Sequence, residues 1–100
     1  MNQLFIMQIQ FETDGKKGAF FIEENNVRLA AMEFTMAGSK KMIIDHTEVD
    51  DSLRGQGIGR KLLDKLVEYV RENELKVIPL CPYAKAAIKK DQSIQDVLYP

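Results

Sequence analysis

This 100-residue chain lacks the residues that several common classes of protein require. It contains one cysteine, Cys81, so no intramolecular disulfide can form, and a reduced, intracellular setting is expected. Cys81 and the single histidine, His46, are too few soft ligands for a four-ligand structural zinc site, and we expect no metal. The formal net charge is only −1, which argues against nucleic-acid binding through phosphate neutralisation.

Long apolar runs are also missing. The stretch Leu4–Ile9 is far too short to cross a bilayer, and no positively charged region precedes it as in a secretion signal. We therefore expect a cytoplasmic protein without a membrane partner. No repeat or linker interrupts the chain, so residues 1–100 are predicted to form a single domain.

The two halves of the chain differ slightly in charge. Residues 1–50 carry five Lys/Arg and eight Asp/Glu, whereas residues 51–100 carry nine and seven. A mildly basic second half suits a small anionic ligand better than a polyanion.

The first half of the chain has the hydropathy pattern of strands joined by short turns. Residues alternate between apolar and polar before Asp14-Gly15, a dipeptide typical of hairpin turns. A later run is apolar on both parities, which indicates a strand covered on both faces. The four predicted strands are Met7–Thr13, Ala19–Glu23, Val27–Met36 and Met42–Val49.

The second half changes to a helical period. Apolar residues recur every three or four positions over Gly57–Glu72, which predicts an amphipathic helix. A strand at Lys76–Leu80, a helix at Pro82–Lys90 and a last helical turn within Ser93–Tyr99 are predicted to follow. A strand, a helix and a strand without a tight hairpin imply a parallel pair with a right-handed crossover. The fold class is α/β: an antiparallel meander leads into this unit, with helices on both faces of one mixed sheet.

The glycine-rich turn Arg54–Gly59 is the most informative segment for function. It opens directly into the predicted helix, where free backbone N–H groups and the helix dipole favour an anion such as phosphate. The P-loop pattern does not fit, because Gly59 is followed by Arg60 and Lys61 with no Ser or Thr to hold magnesium. The dinucleotide fingerprint does not fit either, because the glycines alternate and no second mononucleotide half follows.

A third pattern, Gln/Arg-x-x-Gly-x-Gly/Ala at a helix start, is met by Arg54, Gly57 and Gly59. The segment resembles the pyrophosphate-binding motif of the GNAT superfamily of acyl-CoA-dependent N-acyltransferases. The flanking segments His46–Val49, Arg60–Leu63 and Cys81–Tyr83 are similar to those of its very small predicted acetyltransferases. The resemblance extends over most of the chain, from about Phe11 onward.

The resemblance implies where acetyl-CoA, the expected cosubstrate, would bind. The strands at Met42–Val49 and Lys76–Leu80 would splay apart, with pantetheine between them and backbone groups near the acyl carbonyl. Charge from Arg54 and Arg60 would add to the backbone N–H groups that hold the pyrophosphate; the alternative for either is a solvated residue at the helix start. The implied binding residues are Thr47, Glu48, Val49, Arg54, Gln56, Gly57, Ile58, Gly59 and Arg60.

Four residues are candidates for the chemistry. Cys81 precedes Pro82 at the N-terminus of the second helix, where thiolate is favoured, and the resemblance implies a nucleophile there; the alternative is an inert, buried cysteine. His46 shares its parity with Ile44 and Glu48 and is the natural general base if the strands bring it near Cys81. Alternatively, it is a structural histidine.

The other two candidates are Glu48 and Tyr83. Glu48 could deprotonate an amine directly or be merely solvated, and Tyr83 could protonate the departing CoA thiolate or belong to the core. The resulting hypothesis is an N-acetyltransferase that acts on an unidentified amine, a small molecule or a protein, as a monomer or weak dimer. The alternatives are a non-catalytic CoA-binding or protein-interaction module, and a structural domain without a ligand. Because Asp14–Lys17 is only a turn, helices that shape the acceptor site in larger relatives are absent there.

Overall fold

The alternating segments of the first half form four antiparallel strands in sequential order. The computed structural model describes residues 8–100. Asp14 begins the first hairpin turn, and Asn25 and Asn26 form the second with positive φ angles of 53° and 65°. The strands are β1 (Gln10–Thr13), β2 (Lys17–Glu24), β3 (Val27–Met36) and β4 (Lys41–Val49).

The amphipathic segment of the second half forms a long helix that crosses from β4 to a parallel fifth strand. The five strands make one sheet in the order β1-β2-β3-β4-β5. Two short 3-10 helices, Asp51–Leu53 and Gln92–Val97, complete the fold. The remaining elements are α1 (Ile58–Glu72), β5 (Lys76–Pro79) and α2 (Pro82–Lys90).

The main hydrophobic core lies on one side of the sheet, which we call the helix face. It is marked by the inward side chains Phe20, Met32, Phe34, Met42 and Ile44. Both α1, through Leu62 and Leu66 among others, and α2, through Ala84 and Ile88, belong to this same cluster. The opposite side, the open face, carries a separate small cluster of Ala19, Phe21 and Ala31.

The predicted α/β class, the antiparallel meander and the parallel strand–helix–strand unit are confirmed. The prediction of helices on both faces is wrong for the described residues, because α1 and α2 pack on the helix face together. Apolar residues on both parities of β3 had suggested two covered faces. On the open face, however, β3 buries only Ala31, while Glu33 is exposed.

Element boundaries agree closely with the sequence pattern. Gly57 is the N-cap of α1 rather than its first residue, and β5 ends at Pro79, one residue early. The predicted final helical turn is the 3-10 helix before Leu98. Strand β1 begins at Gln10; Met7, where the pattern placed its start, lies outside the described residues, as does most of Leu4–Ile9.

Replacing Leu62 by Ala should destabilise the protein by about 2–5 kcal/mol, because a fully buried side chain would leave a cavity between α1 and the sheet. Chemical denaturation followed by circular dichroism measures this change. The neighbouring Lys61→Ala is the control, since Lys61 is exposed and should change the stability by less than about 0.5 kcal/mol. Equal effects of the two substitutions would contradict this description of the core.

Candidate functional site

The site is created where β4 and β5 separate. Their parallel pairing runs from Lys41 opposite Lys76 to Ile44 opposite Pro79 and then stops, while β4 continues to Val49. The carbonyl of Ile44 accepts hydrogen bonds from the N–H groups of both Leu80 and Cys81, at 3.0 Å each. The chain therefore turns away from β4 at this point, and the last five residues of β4 have no partner in β5.

The glycine turn lies beside this opening and needs its glycines for two different reasons. Gly55 and Gly57 have φ angles of 83° and 68°, a left-handed backbone that other residues adopt only at a cost. A Cβ at either position would meet no atom within 4 Å, so the space before the turn is open. A Cβ on Gly59, in contrast, would lie 3.0 Å from the ring of Tyr83. Gly59 is therefore small because Tyr83 packs on it.

The N-terminus of α1 presents unsatisfied donors to that open space. The first helical hydrogen bond runs from the N–H of Lys61 to the carbonyl of Gly57, at 3.1 Å. The N–H groups of Ile58 to Arg60 precede it, Gly57 supplies no side-chain cap, and the first turn holds no acidic residue. Together with the helix dipole, these donors favour a bound anion.

A cleft of about 400 Å³ joins the glycine turn to the end of β4. One wall is formed by β4 and the short 3-10 helix, the other by the start of α1 and the ring of Tyr83. The lining residues are Thr47, Val49, Asp50, Asp51, Leu53, Arg54, Gly55, Gly57, Ile58, Gly59, Arg60 and Tyr83. Seven of the nine predicted binding residues thus line one cleft, and the other two, Glu48 and Gln56, do not.

The two arginines of this region already have carboxylate partners. Arg54 donates to Asp51 at 2.6 Å on the surface. Arg60 donates to Asp64 at 2.8 Å and to Asp91 at 2.6 Å, and these hydrogen bonds raise the pKa of its guanidinium. The side chain of Arg60 is thereby held against α1 and α2. Its backbone N–H remains one of the free donors at the start of α1. The partners of these arginines were not singled out in the sequence, although Asp51 and Asp64 stand at helical spacing from them.

Cys81 lies at the N-cap of α2, on the helix face of the sheet. It is 3% exposed, and its Sγ lies 3.0 Å from Oγ1 of Thr47. Thr47 in turn lines the cleft. The thiol therefore lies directly behind the cleft wall, and the hydroxyl of Thr47 stands between the thiol and the interior of the cleft.

His46 and Cys81 lie on opposite faces of the sheet, so the condition under which His46 would serve Cys81 as a general base is not met. A β-bulge lies between the pairs Phe34–Ile44 and Glu33–His46, so Asp45 is an extra residue in β4. The extra residue reverses the alternation, and Thr47, not His46, follows Ile44 onto the helix face. His46 is exposed on the open face, with its Nε2 4.0 Å from Oε2 of Glu48.

Glu48 shares the open face with His46. Its side chain is 81% exposed and lies opposite Ala31 of β3. The carboxylate is thus separated from Cys81 by the sheet, although both groups flank the unpaired end of β4. A base at this position can act only on a group that approaches from the open face.

Tyr83 stands at the cleft wall on α2, beside Gly59. Partial burial raises the pKa of its phenol, whereas the nearby Arg60 guanidinium opposes that shift. The phenol therefore keeps its proton at neutral pH and is available as a hydrogen-bond donor or acid.

Residues 8–100, which the structure describes, contain no group of three or more His, Cys, Asp or Glu side chains arranged to hold a metal ion. None of their helices is long and apolar enough to cross a membrane.

The comparisons with known proteins agree with this geometry. The family model described as GCN5-related N-acetyl-transferase matches residues 19–97. The chain therefore belongs to the GCN5-related N-acetyltransferase family, as the glycine turn and its flanks had suggested.

Individual relatives extend over most of the chain. Protein NATD1 of Xenopus tropicalis is 31% identical over 83% of this chain and 77% of its own length. A GCN5-like protein from Staphylococcus aureus has a similar solution structure, with a TM-score of 0.74, 39% identity, and coverage of 93% of this chain and 88% of that one. A ribosomal-protein-alanine N-acetyltransferase from Brucella melitensis shares the fold at 20% identity, with a TM-score of 0.63 over 77% of this chain and 62% of that one.

The Arg60–Asp91 contact predicts a pH dependence of stability. Hydrogen bonds from Ser93 and Arg60 lower the pKa of Asp91 from 3.8 to about 2. A depressed carboxyl pKa stabilises the fold above the unfolded value, and this contribution is lost as the pH falls from 3.8 through about 2. Asp91→Asn should therefore lower the urea midpoint at about pH 6 and differ less from the wild type near pH 2.5.

The matched control for this experiment is Glu72→Gln, which neutralises an exposed carboxylate of α1. Its midpoint should follow that of the wild type at both pH values. A difference between Asp91→Asn and the wild type that stays constant down to about pH 2 would contradict the assignment.

Proposed function

We propose that this protein binds acetyl-CoA in the cleft and transfers the acetyl group to an amine. The observation that carries the proposal is the continuity of the cleft, which leads from the free N–H groups of α1 to Thr47 and Tyr83, beside Cys81. Membership of the GCN5-related family supports acyl transfer as the class of reaction.

The cofactor is proposed to bind through backbone groups for the most part. The pyrophosphate would accept hydrogen bonds from the N–H groups of Gln56 to Arg60, with the α1 dipole behind them. The pantetheine arm would lie along the unpaired end of β4, where Thr47 and Val49 line the cleft. Arg54 would have to leave Asp51 to add its charge; that exchange is cheap, since both side chains are largely exposed.

Two routes of transfer are compatible with the placement of the side chains. In the covalent route, Sγ of Cys81 forms a bond to the acetyl carbon as the bond from that carbon to the CoA sulfur breaks. Tyr83 gives its proton to the departing CoA thiolate, and the proton lost by Cys81 replaces it, so CoA leaves as the thiol. An amine then takes the acetyl group from the Cys81 thioester, gives up one proton to solvent, and restores the thiol of Cys81.

In the direct route, the amine attacks the acetyl carbon from the open face as the bond from that carbon to the CoA sulfur breaks, and the departing CoA thiolate takes a proton from Tyr83. Glu48, with His46 4.0 Å away, lies on that side of the diverging strand and would take the proton from the amine. The route is favoured by the exposure of both side chains, and Cys81 then has only a packing role.

A non-catalytic CoA-binding module is the second candidate. The 3% exposure of Cys81 favours it, because most buried cysteines are chemically inert. This candidate predicts binding of acetyl-CoA without loss of the acetyl group to any amine.

Gly57→Glu should weaken acetyl-CoA binding by about tenfold or more, because a carboxylate at the helix N-terminus would repel the pyrophosphate and cost at least about 1.4 kcal/mol. Isothermal titration calorimetry measures the change in Kd. Gly38→Glu is a matched control: Gly38 also has a positive φ, 84°, and open space around it, but lies in the turn between β3 and β4. It should bind like the wild type.

If the wild-type protein gives no heat with acetyl-CoA, the cleft is not a cofactor site. If Gly57→Glu and Gly38→Glu weaken binding equally, the loss reflects backbone strain in the left-handed region and the pyrophosphate assignment is wrong.

Cys81→Ser separates the routes. In the covalent route, incubation with acetyl-CoA adds one acetyl group to the wild-type chain at Cys81, and this variant loses both the label and turnover. CoA binding should persist, because Cys81 lies behind the cleft wall. Intact-mass and peptide mass spectrometry detect the label. Turnover that survives in Cys81→Ser would exclude the covalent route and leave the direct route through Glu48.

A further inference from the structure

Thr47 contacts the thiol of Cys81 with its side-chain hydroxyl. The two atoms, Oγ1 and Sγ, are 3.0 Å apart. Thr47 lines the cleft and is partly buried, whereas Cys81 is 3% exposed. Within residues 8–100, this is the one side-chain hydrogen bond recorded for the sulfur. The hydroxyl therefore stands between the thiol and the cleft.

Few other side chains around Cys81 are available as hydrogen-bond partners of its thiol. His46 and Glu48 lie across the sheet, on the open face. On the helix face, Tyr83 of α2 is near the sulfur, while the guanidinium of Arg60 on α1 is bonded to two carboxylates. A hydroxyl can accept a hydrogen bond from a thiol and donate one to a thiolate, so one partner serves both states of the sulfur.

The contact depends on the bulge at Asp45. Without that extra residue, strand alternation would place Thr47 on the open face and His46 beside the helices. Because of the bulge, the neighbour of Cys81 is the hydroxyl of Thr47 and not the imidazole of His46.

We propose that Thr47 is a positioning residue, which holds Sγ of Cys81 toward the cleft and remains its hydrogen-bond partner when the thiol loses its proton. Its importance for transfer rests on the proposed function, but the contact can be tested without any coenzyme.

The test is the rate at which iodoacetamide alkylates the free protein, followed by intact-mass spectrometry. Because Cys81 is the sole cysteine, one adduct reports on one site. Thr47→Val keeps the shape but removes the hydroxyl, and alkylation should slow by about five- to tenfold, since a thiolate would lose its donor. Thr47→Ser should return the rate to within about twofold of the wild type.

Thr13→Val is the matched control. The hydroxyl of Thr13 on β1 donates to the carbonyl of Lys17 at 3.0 Å, so this substitution also removes a hydrogen-bonded threonine hydroxyl from the sheet, at the edge opposite β5 and away from the bulge and Cys81. Its alkylation rate should equal that of the wild type, and denaturation midpoints show that each variant is folded.

If Thr47 had only a packing role, its replacement by Val would change the alkylation rate in the opposite direction. Loosened packing would expose the thiol, so faster or unchanged alkylation of Thr47→Val would overturn the proposal, as would a wild-type thiol that is never alkylated. If Thr47→Val does not fold, the comparison of Thr47→Ser with Thr47→Ala replaces it. Slower alkylation of Cys81 in Thr47→Ala but not in Thr47→Ser supports the proposal, and equal alkylation rates in the two variants overturn it. Failure to bind acetyl-CoA would defeat the proposed function without changing these rates.

Discussion

The divergence of β4 from β5 is the constraint on which the rest of the site depends. Parallel pairing ends at Ile44 and Pro79, where one carbonyl accepts two consecutive N–H groups and turns the chain into α2. A longer pairing would close the end of β4 with strand hydrogen bonds. Its early end leaves backbone groups of β4 without a β5 partner and places Cys81 at a helix N-cap, directly beside Thr47.

The two helices form the wall of the cleft that lies opposite β4. Both α1 and α2 pack on the helix face, so the start of α1 and the ring of Tyr83 form the second wall of the cleft. The contact between Tyr83 and the position of Gly59 sets how closely the two helices approach. The network from Asp64 through Arg60 to Asp91 joins α1 to the end of α2. Arg60 could otherwise neutralise a bound anion, but its ion pairs hold its side chain at the cleft wall. The donors that face the open space are therefore backbone N–H groups.

Much of this arrangement is encoded in local sequence patterns. Strand alternation, the hairpin dipeptide at Asp14-Gly15 and the helical period after Gly57 predict the elements to within about two residues, apart from the start of β1. The glycine turn predicts the cleft because positive φ angles and free helix N–H groups are properties of a short segment. Its position beside β4 follows from the handedness of the crossover.

The errors arise where the structure depends on contacts between distant segments. No residue type near Asp45 marks a bulge, so the parity of β4 suggested that His46 faces Cys81. The face on which α2 packs is decided by tertiary contacts of Ala84 and Ile88 rather than by their spacing. The resemblance places Gly59 in a pyrophosphate-binding motif, whereas the contact that limits its size in the structure is with the ring of Tyr83.

Backbone NMR during a titration with coenzyme A tests the central claim most directly, because the claim assigns the ligand to named amides. The account predicts that the largest shifts occur in the amides of Gln56 to Arg60 and of Thr47 to Val49, with small changes in the turn around Gly38. Acetyl-CoA should add changes at Cys81 and Tyr83. Shifts that are absent, or that are centred on the open face away from α1, would contradict it.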